Sequence, residues 1–585
     1  MSSNNAIVRE YLASLKEDSE LDYLFPILLN LMGYRIIQTA KESKGQSQYG
    51  KDIIAVGNDE NGVKHKWYFE LKGFADKDIT QANYSKPDGV RESIIEAKDT
   101  IFKDSTIPGF NKLPTKIVVV HNGVLKTNIR ETFEGFISRE FSNGQFERWD
   151  IYYLTDIFSN YLFNEYLLSD EASNRLLKKT LAFLDSPDNE YNEFKELVSI
   201  QFQKIEDVKS RAFKKLFATL NLINSIVFHY SKENNYLVPA KECSKFLILK
   251  TWFWILKNNL QYKKPIVEEF KKLLKMQYQI FDAYFKRTFN VARIENGLFY
   301  EDGTFFEKIG YPLRCFEYLD DIIYYCRLRN TVFTSKNSTR LRNKQKDLII
   351  ELIENNSGFN RPILDNQSIA IVQLLLFFID KKSLRKKDVQ FLGNFIRDII
   401  SNLKIEKIRH NRLPELYNRI DTTIEFIAIG EKPDEYCDTS SILLAVLLEI
   451  TVIFNAEFLF KEILSFIDDK ISLQIVSIDD TNHNVEQMLF EKHLHQEYYV
   501  DCIERVQDGL KLLKNDANFV EFKKSILDKK ENAKKYATDD LGLSCIRYLA
   551  HSYYKNEILP EEWRVLIDEK ENTNRQQGIA KSGAE

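Results

Sequence analysis

Proline and glycine are scarce in this chain, at 12 and 21 among 585 residues. A protein built of many tight turns and short strands needs more of both, so the balance favours long helices. The 41 Phe and 29 Tyr supply the aromatic packing such helices use. The six cysteines are scattered and form no C-x-x-C pair, which argues against a disulfide framework or zinc ribbon and fits a reducing cytoplasm. The opening stretch MSSNNAIVREYLASLKEDSE lacks the apolar centre of a signal peptide. The longest apolar run, Ile442–Phe454, carries Glu449 inside it, whereas a membrane span needs about 20 apolar residues. It is expected to be a buried core helix of a cytoplasmic protein with no membrane partner. No G-x-x-x-x-G-K-[ST] phosphate loop occurs, so ATP hydrolysis of that type is not expected. The net charge of −4 exerts no global pull on nucleic acid, and any such contact must come from local basic patches.

What is present divides the chain in two. Hydrophobic residues at 44% and charged residues at 29% are ordinary for a globular protein. The length predicts two to four domains at roughly 100–200 residues each. Eleven of the 21 glycines precede residue 150. In that first part, residues 20–32 have helical apolar spacing and stop at Gly33, a plausible helix end. Short β-rich runs follow at Tyr34–Gln38, Asp52–Val56, Lys66–Leu71, Lys116–Val120 and Asp150–Leu154, with amphipathic segments at 90–103 and 126–142. The alternation predicts an α/β layer. Helices are expected at 155–168 and 172–184, with SPDNEYNE (186–193) as a linker. From there to about 570 the apolar spacing is helical throughout, which predicts an all-α region over 175–585, with breaks near 295–312 and 430–440. The polar tail reads as disordered.

The stretch 33–73 carries the chemistry. Asp52 begins one expected strand, and Glu70 and Lys72 end the next. Strand side chains alternate, so Glu70 and Lys72 share a face from which Leu71 points away. In a hairpin Asp52 would approach that face. Two carboxylates and an ammonium in apolar strands are costly to bury without a partner. Two such carboxylates can hold Mg²⁺, which keeps most of its waters and takes phosphate oxygens as further ligands.

The G-x-D and apolar-E-x-K motifs, Gly50-Lys51-Asp52 and Glu70-Leu71-Lys72, resemble those of the PD-(D/E)XK restriction-endonuclease-like superfamily. More narrowly, the segment is similar to the Mrr-type nuclease domains of prokaryotic defence systems. Their entry-helix pattern is matched by Leu21 to Tyr34, with Asp22 at the acidic position, and VVVVHNGVLKTNIRETFEGFI and RWDIYYLTDIF suit the closing elements. Lys51 replaces the proline of the superfamily name, Glu70 stands where many Mrr-type members carry Gln, and Asp22 replaces Glu.

The resemblance covers about residues 15–165 and implies an α/β nuclease-like domain over 1–168. It implies a metal-dependent DNA endonuclease in anti-phage or anti-plasmid defence. Asp52, Glu70 and Lys72 would be catalytic, Asp52 and Glu70 would hold Mg²⁺ (or Mn²⁺ in its place), and Asp22 is a further acidic candidate. The substrate would be double-stranded DNA, and self-association or an ATPase partner would be expected. Lys41, Lys44, Lys51 and Gln81 are candidate DNA contacts, although solvated loop positions look the same in sequence. Alternatives are a non-catalytic nucleic-acid-binding or assembly subunit on the same fold, and a repair or recombination nuclease.

The helical region offers basic clusters at 334–346, 381–387 and 404–412, which suit either a nucleic-acid backbone or a solvated helix face. His483, His493 and His495 lack a matching ligand set and read as surface residues. Arg547 and His551, one helical turn apart, are only faintly similar to the pair in RNA-cleaving helical toxins.

Overall fold

The computed structural model describes residues 3–567 except 40–48, 74–75, 88, 162–167, 187–189, 206–209, 300–302, 304, 334–337, 380–382, 469, 478–483, 492–502, 507–517 and 531–535. Lys41, Lys44, His483, His493, His495 and the polar tail lie outside the described residues. Two compact units are present: Met1–Leu247 with Pro265–Met276, and Ile248–Lys264 with Gln277–Glu585.

The first unit contains a five-stranded mixed sheet. In chain order its elements are α1 (Ser3–Leu12), α2 (Asp22–Leu31), β1 (Arg35–Gln38), β2 (Ile53–Asn58), β3 (Lys64–Lys72), α3 (Gln81–Ser85), α4 (Val90–Asp99), β4 (Thr115–His121), α5 (Thr127–Glu140), β5 (Phe146–Trp149) and α6 (Ile151–Tyr161). Spatial order follows sequence order, with β1–β2 and β2–β3 antiparallel and β3–β4 and β4–β5 parallel. The first parallel step needs a crossover, supplied by α3 and α4, and the second uses α5. Further helices of this unit include Glu171–Ala182, Asn192–Gln203 and Ser210–Glu233.

Both sheet faces are buried, which is why β3 and β4 read as nearly continuous apolar runs. On one face Ile54, Tyr68, Ile117 and Val119 pack with Ile94 of α4 and Phe133 of α5. On the other, Phe25 of α2 meets Phe69 edge-on at 5.3 Å and Trp149 at 6.0 Å, and Trp67 stacks on Phe69. Each such aromatic contact adds about 0.5–1.5 kcal/mol beyond area burial.

Two expectations need correction. The fifth strand lies at Phe146–Trp149, and Asp150–Leu154 opens a helix instead. Asp150 decides this, because its Oδ1 accepts from the amides of Tyr152 (3.0 Å) and Tyr153 (3.2 Å) and starts α6 despite the β-prone residues that follow. The region after 175 is mainly helical, yet it carries a small sheet formed by Ser440–Ser441, Ser472–Val476 and Ile503–Arg505. Strands this short are outweighed in sequence by the helical periodicity around them.

In the second unit the run Ile442–Phe454 is a wholly buried helix. No helix among the described residues is long and apolar enough to cross a membrane. Glu449, fully buried, accepts two hydrogen bonds from Arg564 (3.0 and 2.7 Å) and one from Trp563 Nε1 (2.8 Å), which fastens the 561–567 segment to this helix. Asp365 caps the same helix through Ser441 Oγ (2.6 Å) and the Ile442 amide (2.7 Å).

Candidate functional site

The site forms where β2 begins and β3 ends. A turn joins the two strands: Asp59 Oδ1 accepts from the amides of Asn61 (3.0 Å) and Val63 (2.8 Å), an Asx-type closure that fixes hairpin register. Ile53 then pairs with Phe69. Just ahead of that ladder the Asp52 amide donates to the Phe69 carbonyl at 2.9 Å, and the Leu71 amide donates to Asp52 Oδ2 at 2.7 Å. Asp52 is therefore anchored by backbone and side chain on either side of Glu70.

Gly50 makes this approach sterically feasible. Its φ of +68° is left-handed, and a Cβ there would lie 2.0 Å from the Ser93 carbonyl oxygen of α4. Only glycine lets the chain pass so close to the helix and then turn into β2.

Lys72 Nζ lies 2.7 Å from Glu70 Oε1 and 4.0 Å from Glu17 Oε1. Glu17, which motif reading did not single out, sits in a π-helical turn (Glu17–Leu21) that runs into α2, and its Oε2 accepts from the Gly73 amide at 3.1 Å. The α-helix that follows contains Pro26, which has no N–H to bond back to the Asp22 carbonyl. Asp22 is the first residue of α2. The second acid beside Lys72, after Glu70, is Glu17, which lies in the acidic run Glu17-Asp18-Ser19-Glu20 before the helix.

Electrostatics follow from this crowding. Burial, and then the charge of Glu70, push the Asp52 carboxyl well above the usual range against the opposing pull of the Leu71 amide and Lys72. Burial also raises Glu17, against the pull of Lys72 and the Gly73 amide. Burial works against the Lys72 ammonium, but Glu70 and Glu17 outweigh it and leave its pKa above the ordinary lysine value. Three carboxylates share one paired ammonium here. The group is short of positive charge; among the described residues the three acids close enough together to share a metal ion are Glu242, Glu317 and Asp321, away from this site.

The other candidates are placed differently. Lys51 is only 4% exposed, with its ammonium 3.0 Å from the Tyr49 carbonyl and 5.3 Å above the Tyr68 ring. Burial pushes its pKa down to about 8, with Glu96 and Glu70 pulling the other way. Gln81 is exposed at the start of α3, where its amide bonds Ser85 Oγ at 2.9 Å. Next to Lys72 in the parallel ladder stands His121, fully buried between the Lys77 carbonyl (2.9 Å) and Arg148 (3.2 Å). Burial pushes it down to about 4, so it is neutral at physiological pH.

The basic clusters of the second unit are largely engaged. Arg385 binds Asp388 and Asp347, Lys387 binds Asp347, Lys404 binds Glu462, and Arg412 binds Glu406. Lys346 is wholly buried, held by the Phe378 and Ser383 carbonyls at 2.7 and 3.0 Å. Arg547 and His551 are buried too: Arg547 pairs with Asp539 and Glu562, and His551 bonds the Asn556 carbonyl. That pair is therefore structural.

Comparison of the chain with protein-family models, with curated proteins and with solved structures returns no match.

Proposed function

We propose that the N-terminal sheet unit is a metal-dependent DNA endonuclease of the PD-(D/E)XK type, serving a bacterial defence system against phage or plasmid DNA. The observation that carries the reading is the anchoring of Asp52 across Glu70 at the end of a hairpin, with Lys72 at 2.7 Å from Glu70. The defence role rests on the Mrr-type resemblance of residues 15–165.

Asp52 and Glu70 would hold the metal, Mg²⁺ or Mn²⁺. When bound, the ion supplies Lewis-acid polarisation of the scissile phosphate and a water acidic enough to attack it. The protein's own groups do the positioning. Asp52 Oδ2 is fixed by the Leu71 amide. Lys72 keeps its proton, so it acts as a hydrogen-bond donor to phosphate oxygen or water and as a positive charge beside the pentacovalent centre, not as a base. Glu17, 4.0 Å from that ammonium, gives it a second carboxylate neighbour besides Glu70. The buried sheet faces on either side keep the group rigid.

Plasmid nicking by the purified chain with Mg²⁺, compared with EDTA, tests the reading. Cleavage that requires the metal and is lost in Asp52→Asn supports it; no cleavage of linear, circular, branched or single-stranded DNA overturns it.

A further inference from the structure

The second unit contains a cavity of about 250 Å³ that the nuclease reading does not use. Its walls are tied together by short backbone and side-chain links. The segment after Asn360 runs beside the segment after Arg412: the Glu415 amide donates to the Ile363 carbonyl at 3.0 Å, and the Asp365 amide to the Glu415 carbonyl at 2.9 Å. Asn402, on the helix Lys386–His410, donates from Nδ2 to the Asn360 carbonyl at 3.0 Å. Tyr436 closes another side by donating its hydroxyl proton to the Leu413 carbonyl. The cavity is thus framed before any ligand arrives, as binding sites usually are.

Its lining is chemically uneven. Ile363, Leu403, Leu413 and Pro414 give it apolar walls. Three cations face it, Lys308, Arg361 and Arg412, against two carboxylates, Glu307 and Glu406. Arg412 and Glu406 neutralise each other as an ion pair. Arg361 bonds Ser357 Oγ through one nitrogen at 3.1 Å, and among the described residues no carboxylate pairs with Arg361 or Lys308. A guanidinium fork and an ammonium, neither paired with a carboxylate among the described residues, at the edge of a cavity with part-apolar walls match a phosphate group, which takes the fork in bidentate fashion. Glu307, on the same turn as Lys308, can accept from a hydroxyl or amino group of the same ligand.

We propose that this cavity binds a small organic phosphate, no larger than a mononucleotide, with its phosphate on Arg361 and Lys308 and its body against the apolar walls. The site is independent of the nuclease reading, because its readout is binding.

Isothermal calorimetry on the full chain, with AMP, GMP and glycerol phosphate as probes, tests it. Adenosine and inorganic phosphate serve as half-ligand controls. At least one organic phosphate should bind saturably at a Kd of about 1 mM or tighter, and more tightly than either control. Arg361→Gln and Lys308→Gln should each weaken that binding by roughly tenfold. Lys308 is exposed, so its variant keeps the test valid if Arg361→Gln fails to fold. Failure of all three probes to bind, equal binding by inorganic phosphate, or full affinity in both variants would overturn the proposal.

Discussion

Lys72 lies 2.7 Å from Glu70, two residues earlier on the same strand, and 4.0 Å from Glu17 in the turn that enters α2. If the proposed nuclease chemistry runs here, the second contact makes Glu17 a positioning residue for Lys72. Glu17→Gln should lower cleavage by roughly tenfold to a hundredfold, the usual size of a supporting-residue effect. The thermal midpoint should move little, since Glu17 lies at a partly exposed turn. Rates and melting curves on the same preparation check this; a full-rate variant would remove Glu17 from the site.

Asp52→Asn separates activity from stability. The carboxyl is held above its usual range by burial and by Glu70, so its charge opposes folding, while an amide oxygen can still accept from the Leu71 amide. Cleavage should fall by roughly 10²–10³-fold or more, and the denaturation midpoint should stay level or rise. Urea melts of both proteins check the second half, and a midpoint that falls would contradict it.

Gly50→Ala should destabilise the first unit by several kcal/mol, on the order of 2–4, because it combines a left-handed φ with a backbone collision. Circular-dichroism melts would show it.

His551 makes stability depend on acid. Burial, and then the neighbouring Arg547 charge, hold its folded pKa down to about 4, against 6.5 as its ordinary value. A depressed pKa contributes stability that is complete above the ordinary value and lost as pH falls toward the folded one. About 3 kcal/mol should therefore disappear between roughly pH 6.5 and pH 4. His551→Gln should flatten that part of the pH profile of chemical denaturation.

Removing Arg564 leaves the Glu449 carboxyl buried in an apolar helix without its guanidinium partner. Arg564→Ala should cost about 3–5 kcal/mol, and Arg564→Ala with Glu449→Gln should recover part of it. A double-mutant cycle of denaturation free energies measures the coupling.

Much of the fold is legible in the sequence where periodicity is strong. The hairpin of β2 and β3, the amphipathic α4 and α5, and the buried helix at 442–454 all follow from apolar spacing and turn residues. The misread positions share a cause, a local polar contact outweighing the pattern. Asp150 caps a helix over a β-prone stretch, and Glu17 comes beside Lys72 from a turn that no motif marks. The burial of Lys51, Lys346 and Arg547 was equally hidden, because their partners are carbonyls, rings and distant carboxylates that spacing does not reveal.

Supercoiled-plasmid nicking reads out the metal-dependent phosphodiester hydrolysis proposed for Asp52, Glu70 and Lys72. The wild-type chain should convert plasmid to nicked or linear form with Mg²⁺ or Mn²⁺ and not with EDTA, and the Asp52→Ala, Glu70→Ala double variant should leave it supercoiled. A double variant that cuts at the wild-type rate would contradict the account.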